Sequence, residues 1–295
     1  MTKPALADAL TAPRFEFVSE RAGRLAYYVD AEGDGLPLVL VHSINAAPSS
    51  FEMRPLFEQY RGNRPVYSLD LPGFGHSERG SRPYTPAIYA DALADFLLQV
   101  VQQPADVLAL SLSAEFAARA ALAMPGRIAS LVVISPTGFS QRPVPSARIG
   151  RVAHQFLTIP LLSQGLYDLV ASRRSIRYFL GRSFVGEVPV EVIDYAHATS
   201  HQPGARHAPL TFLSMQLFTP NAMDRLYGKL TDLPVLAIAD RDPYIAFERL
   251  DEFVAGHPNW QRLRLAPNLG LPHWERLPET VAALDGFWAT LEQSQ

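Results

Sequence analysis

Four unbroken apolar runs constrain this 295-residue chain more than any other feature: Pro37-Leu-Val-Leu-Val41, Asp106-Val-Leu-Ala-Leu110, Leu131-Val-Val-Ile-Ser135 and Pro234-Val-Leu-Ala-Ile238. A strand with one wet face alternates polar and apolar residues. A run without alternation fits a strand covered on both faces, as in a parallel sheet between two layers of helices. The surrounding pattern predicts strands at Phe15–Glu20, Arg24–Asp30, Pro37–Ile44, Arg64–Leu71, Asp106–Leu110, Ser130–Ser135, Pro234–Ala239 and Gln261–Ala266. Helical periods fall at about 50–60, 84–101, 112–123, 246–255 and 278–292. The rhythm breaks over 139–225, where apolar residues recur at helical spacing. The predicted fold is therefore α/β, an eight-stranded, mostly parallel sheet flanked by helices. Its core comprises 1–138 and 226–295, and 139–225 is an inserted helical cap. Residues 1 to about 13 read as a loosely held leader.

Hydrophobic residues make up 48% of the chain and charged residues 19%, a mix that can bury a substantial core and argues against disorder. A net charge of −3 provides no electrostatic footprint for nucleic acid. The absence of cysteine excludes disulfides, thiol nucleophiles and thiolate metal sites. No stretch reads as a signal peptide or a membrane span, so a cytoplasmic protein is expected. No metal-ligand spacing is present. The nearest dinucleotide motif, Gly73-Phe74-Gly75, has Glu78 where the third glycine belongs, so no cofactor is expected. The expected partner is a small molecule.

The run ending at Leu110 passes directly into the helical pattern Ser113-Ala-Glu-Phe-Ala-Ala-Arg. A sharp strand-to-helix turn displays one side chain at the carboxyl edge of a sheet, provided that the residues two before and two after it are small. Ser111 meets that requirement, with Ala109 before it and Ser113 after it. Ser113 is a poor rival because Glu115 follows two residues later. The plain alternative for Ser111 is a helix N-cap.

The order of PLVLVHSINAAPSSFEMRPLF, YSLDLPGFGHSER, LALSLSAEFAARAA, PVLAIADRDPY and LPHWERLPETV resembles the α/β-hydrolase superfamily, in its branch with cap insertions. That resemblance implies a serine hydrolase in which Ser111 is the nucleophile. It places the oxyanion donors at the backbone N–H of Leu112 and, from the loop His42-Ser43-Ile44-Asn45, at that of Ile44. Ser43 stands where glycine is usual, and Asn45 is placed to face either substrate or its own turn. The resemblance assigns the acid to Asp242, leaving Asp240 and Arg241 to stabilise the loop. It gives His42 and His76 structural roles.

The resemblance also puts the catalytic histidine five residues before a glutamate, which here is Glu275. That position holds Gly270. His273 matches a second, non-catalytic histidine, unless a loop shortened by about one residue carries it to the base's place. The cap histidines His201 and His207 could reach over the site, although a surface position suits each. Arg174, Arg177 and Arg182 read as a solvated helix face. Phe156, Leu161, Leu162, Leu166, Tyr167 and Phe179 suggest an apolar pocket for a small apolar or aromatic ester. The leading expectation is therefore an esterase with Ser111, His273 and Asp242 as its triad. Its alternatives are a lyase or cyclase on the same pocket, and a non-catalytic ligand-binding homologue with an incomplete triad.

Overall fold

The computed structural model describes residues 5–293, the side chains of 160–162 excepted. Eight strands form one sheet: β1 (Arg14–Ser19), β2 (Gly23–Asp30), β3 (Leu38–Val41), β4 (Val66–Leu69), β5 (Ala105–Leu110), β6 (Ile128–Ile134), β7 (Val235–Ile238) and β8 (Trp260–Leu263). Their order is β1-β2-β4-β3-β5-β6-β7-β8. β2 runs antiparallel to both β1 and β4, and every other neighbouring pair is parallel. The α/β sheet read from the four apolar runs is the observed one.

Alternate residues of the central strands enter two separate cores. Val39, Val41, Val107, Ala109, Leu131, Val133, Val235 and Ala237 pack beneath α2 (Pro86–Phe96) and α3 (Ser113–Ala123), against Tyr89, Leu93, Phe96 and Phe116. Leu38, Leu40, Leu108, Leu110, Val132, Ile134, Leu236 and Ile238 pack beneath α1 (Arg54–Tyr60) and the C-terminal helix Leu277–Glu292, against Leu56, Phe57, Leu284, Phe287 and Trp288. Each large side chain taken fully out of water contributes about 1.5–3 kcal/mol, so the register is set by both faces at once.

Several elements are shorter than predicted, for local reasons. β3 stops at Val41 because His42 turns away to close a loop: its Nε2 accepts the Leu71 amide at 3.0 Å and its Nδ1–H donates to the Ser43 carbonyl at 2.7 Å. The predicted helix 84–101 starts under a Thr85 cap, whose hydroxyl accepts the Ile88 amide. It then widens into a π turn over Leu97–Val101, and Gln102 ends it at φ 62°.

Six further helices lie between β6 and β7: α4 (Ala147–Leu157), α5 (Pro160–Val170), α6 (Arg173–Arg182), α7 (Val190–Ser200), α8 (His207–Leu213) and α9 (Ala222–Arg225). Arg174, Arg177 and Arg182 are exposed on this segment. Glu115 of α3 fastens both of its ends to the sheet by accepting the Thr137 hydroxyl and the Thr219 amide. Near its middle, the Tyr195 ring stacks on Phe51 at 4.6 Å. Among the described residues no helix is long and apolar enough to cross a membrane.

The buried Asp70 at the end of β4 organises the neighbouring loops, accepting the Ser50 and His76 amides at 2.8 Å each. Gly75 passes so close that a Cβ there would sit 2.0 Å from the Asp70 carboxyl carbon, and its φ is +52°. Gly75→Ala should therefore cost about 1–3 kcal/mol in backbone strain alone. Thermal unfolding should show a midpoint several degrees lower, and an unchanged midpoint would contradict this packing.

Candidate active site

The parallel register delivers the ends of β3, β5, β6 and β7 to one edge, since Val41 pairs with Ala109, Leu110 with Ile134, and Ile134 with Ile238. Ser111 leaves that edge at φ +54°, left-handed backbone that a serine adopts only when its surroundings force it. Its amide donates to Ile134 O at 2.8 Å, which extends the β5–β6 ladder into the turn. The residue capping α3 is Leu112, without a side-chain bond, so the N-cap alternative for Ser111 does not hold. Ser113, fully buried, donates its hydroxyl to His42 O at 2.6 Å and ties the turn to the loop after β3. The Ser111 hydroxyl itself is hydrogen-bonded to no described residue.

The amides of Leu112 and Ile44 also lack protein acceptors among the described residues, although both residues are buried. Two free N–H groups on adjacent strand ends beside a serine are what an oxyanion requires. The loop carrying Ile44 is held by Glu52, a residue that the sequence did not single out. Its carboxylate accepts the Ser43 amide (2.9 Å), the Ser43 hydroxyl (3.1 Å) and the Asn45 side-chain amide (2.8 Å). Asn45 also donates to Ser43 Oγ and accepts the Ala47 amide. Of its two expected roles Asn45 makes the turn, and the polar groups of Ser43, the other candidate for binding substrate, brace the same loop.

Asp242 follows β7 as expected. One oxygen accepts the Tyr244 and Ile245 amides at 2.8 and 3.0 Å, while burial pushes the carboxyl up to about 6. Asp240 and Arg264 form an ion pair, and Asp240 also accepts the Asn268 amide. Asn268 in turn accepts the Gly270 amide at 2.9 Å. This relay draws the last loop inwards. A Cβ on Gly270 would lie 2.7 Å from Asp242 Oδ2, at φ +122°, so any other side chain there would strain the backbone and force the carboxylate to shift.

His273, the expected base, has its imidazole bonded elsewhere. It is fully buried, and its Nε2–H donates to Glu52 O at 2.8 Å, the same carbonyl that takes the Trp274 indole N–H. Its Nδ1 has no partner. A triad needs the opposite tautomer, with Nδ1–H on the acid and a free Nε2 facing serine. Neither Ser111 Oγ nor Asp242 is hydrogen-bonded to an imidazole of a described residue. His201 lies on the helical segment, with Nδ1 against His197 O, and His207 begins α8.

The fold agrees with comparisons to known proteins. The family described as "Alpha/beta hydrolase family" matches residues 38–284. The chain belongs to that family. Over 276 residues it is 26% identical to pimeloyl-[acyl-carrier protein] methyl ester esterase of Xylella fastidiosa (strain 9a5c), covering 90% of this chain and 99% of that protein. It is 28% identical over 111 residues to 1-acylglycerol-3-phosphate O-acyltransferase ABHD5 of Rattus norvegicus, covering 36% of this chain and only 31% of that longer protein. A thermophilic esterase from Thermogutta terrifontis shares the fold, with a TM-score of 0.73 at 18% identity, over 95% of this chain and 99% of that one.

Two clefts open near the helices expected to form an apolar pocket. One of about 560 Å³ is lined by Gln164, Asp168, Ser200, His201, Arg206 and their neighbours, and a second is a narrow slot beside Tyr167. Phe156 and Phe179 are 68% and 48% exposed and line neither cleft, nor does Leu166. The side chains of Leu161 and Leu162 lie outside the described residues.

Two pH dependences follow. Burial lowers His273 to about 4, so its neutral form is bound by the fold. The associated stability is present above pH ~6.5 and lost as pH falls towards 4. The His273 ring resonances should show no titration between pH 8 and 5, and a midpoint near 6.5 would contradict its burial. Asp242 has the opposite sign, because its raised value means that stability is lost as pH rises from about 4 through 6. Asp242→Asn should therefore stabilise the protein by on the order of 1–3 kcal/mol at pH 8 and by nothing at pH 4. Thermal unfolding at the two pH values checks this.

Proposed function

We propose that the protein binds a small carbonyl compound at the Ser111 elbow and does not run the Ser-His-Asp hydrolytic cycle. The observation carrying this reading is the packing of Gly270 against Asp242, with His273 committed to the Glu52 carbonyl. A serine hydroxyl is a weak nucleophile without an adjacent base. In serine proteases, loss of the histidine costs about 10⁶ in kcat, while oxyanion donors and binding retain about 10³–10⁴ over water. Ile44 and Leu112 supply that retained half in this reading, through two backbone amides that no described group accepts from. Asp242 lies against the Gly270 backbone instead of orienting an imidazole. Such a site polarises and holds an ester, thioester or ketone, and it suits a lyase or a ligand-binding role.

The full-length match to a methyl ester esterase favours a second reading, an esterase in which His273 leaves Glu52 and turns to Ser111. This requires a buried imidazole to change both partner and tautomer.

A fluorophosphonate probe and p-nitrophenyl butyrate separate the two readings. The first predicts labelling and hydrolysis about 10⁶-fold slower than for an intact triad enzyme, and a residual rate unchanged by His273→Ala. Ligand-observed NMR should show methyl benzoate binding and remaining intact. Rapid labelling of Ser111 that is abolished by Ser111→Ala overturns the first reading, and its additional loss in His273→Ala establishes the second.

A further inference from the structure

α4 turns its large apolar residues to water. Gly150 faces the protein, where a Cβ would lie 3.1 Å from both Ser214 O and Gln216 Cγ, and His154 meets the Thr211 hydroxyl of α8 at 3.3 Å. The helix thus packs through a small and a polar residue. Ile149, Val152 and Phe156 point the other way and are 61%, 46% and 68% exposed. At 3.6 residues per turn these three share an arc of about 60° on the side away from Gly150. A surface helix ordinarily does the reverse, because a large apolar side chain left in water forgoes the free energy of burial. Such a stripe marks a surface that meets something else.

The charge beside the stripe identifies its complement. Arg148 and Arg151 flank it, both exposed. They belong to a wider excess, since residues 142–182 hold seven arginines, all exposed, against one acid, Asp168. Among the described residues only Arg173 of the seven forms an ion pair, with Asp194. The segment is therefore six charges positive in a chain that is three negative overall. Two copies of the chain meeting through this face would set arginine against arginine, which disfavours a symmetric dimer. An apolar stripe bordered by arginines suits an anionic bilayer. The guanidinium groups stay at the headgroups while the apolar side chains enter the acyl boundary.

We propose that the outward face of α4 docks the protein on an anionic lipid surface. The contact is peripheral: α4 has 11 residues, lies in the plane of the interface and spans nothing. Headgroup charge draws the arginines in, and Ile149, Val152 and Phe156 hold the helix there. The docking face goes beyond the reading of Ser111 and does not depend on it.

Co-sedimentation with vesicles tests this, using phosphatidylcholine alone and phosphatidylcholine with about one-third phosphatidylglycerol. Wild type should bind the anionic vesicles at least tenfold tighter, and raising NaCl from about 50 to about 300 mM should remove most of that difference. Ile149→Ser with Phe156→Ser should weaken binding to anionic vesicles at least fivefold. Arg148→Glu with Arg151→Glu should remove most of the preference for them. Val18→Ser on β1 and Arg21→Glu in the following turn, equally exposed but remote in the chain, should change neither. No binding to anionic vesicles, binding insensitive to salt, or undiminished binding in either folded double variant overturns the proposal. An acidic protein or a second copy as the true occupant of this face gives the first of these outcomes. Should one double variant fail to fold, the other and the salt dependence decide it.

Discussion

Glu52 connects the two unusual halves of this site. Its carboxylate orders the loop after β3 through Ser43 and Asn45, and its backbone carbonyl receives the His273 and Trp274 N–H groups. One residue thus shapes the place where Ile44 presents its amide and fixes the imidazole in the wrong tautomer for base catalysis. A glycine at position 43 would leave the loop free to find its own turn. With serine there, an added hydroxyl needs an acceptor, and Glu52 provides it. Moving His273 to Ser111 would break its bond to the Glu52 carbonyl, which would then be held by the Trp274 N–H alone.

The strain at Ser111 persists because the surrounding fold over-determines it. A serine at φ +54° costs on the order of 1–3 kcal/mol relative to relaxed backbone. Against that stand the Ser111 amide in the β5–β6 ladder, the Ser113 hydroxyl on His42 and the Glu115 carboxylate on the roots of the inserted helices. Ala109 and Ser113 fulfil the steric requirement that glycines usually meet. Their side chains are small enough, and Ser113 adds a cross-strand bond that a glycine lacks.

The sheet was legible because burial on both faces leaves a direct mark on composition, as in Asp106-Val-Leu-Ala-Leu110. The elbow was legible because steric size at positions 109 and 113 is a local property. The fate of His273 was not. Motif counting from Glu275 already placed Gly270 at the expected position, but whether a shortened loop reroutes depends on Asp240, Arg264 and Asn268 acting together across the fold. Glu52 and Arg79 left no pattern at all, since a lone charge in a loop reads as solvated until its burial is known. The apolar cap residues misled for a related reason. Phe156 and Phe179 sit at helical spacing, yet they face outward.

Removing the histidine changes what the remaining charges do. In a triad the imidazole stands between acid and serine and compensates the acid as it ionises. Here two backbone amides compensate one oxygen of Asp242, and the other faces the Gly270 backbone without a donor. Its carboxylate therefore rises towards neutrality, to about 6. Arg79 is a half-buried cation that donates to Gly75 O and the Thr199 hydroxyl while its Nε stays enclosed. The two groups are held by different loops, one built on Asp240 and the other on Asp70, so neither can relax towards the other.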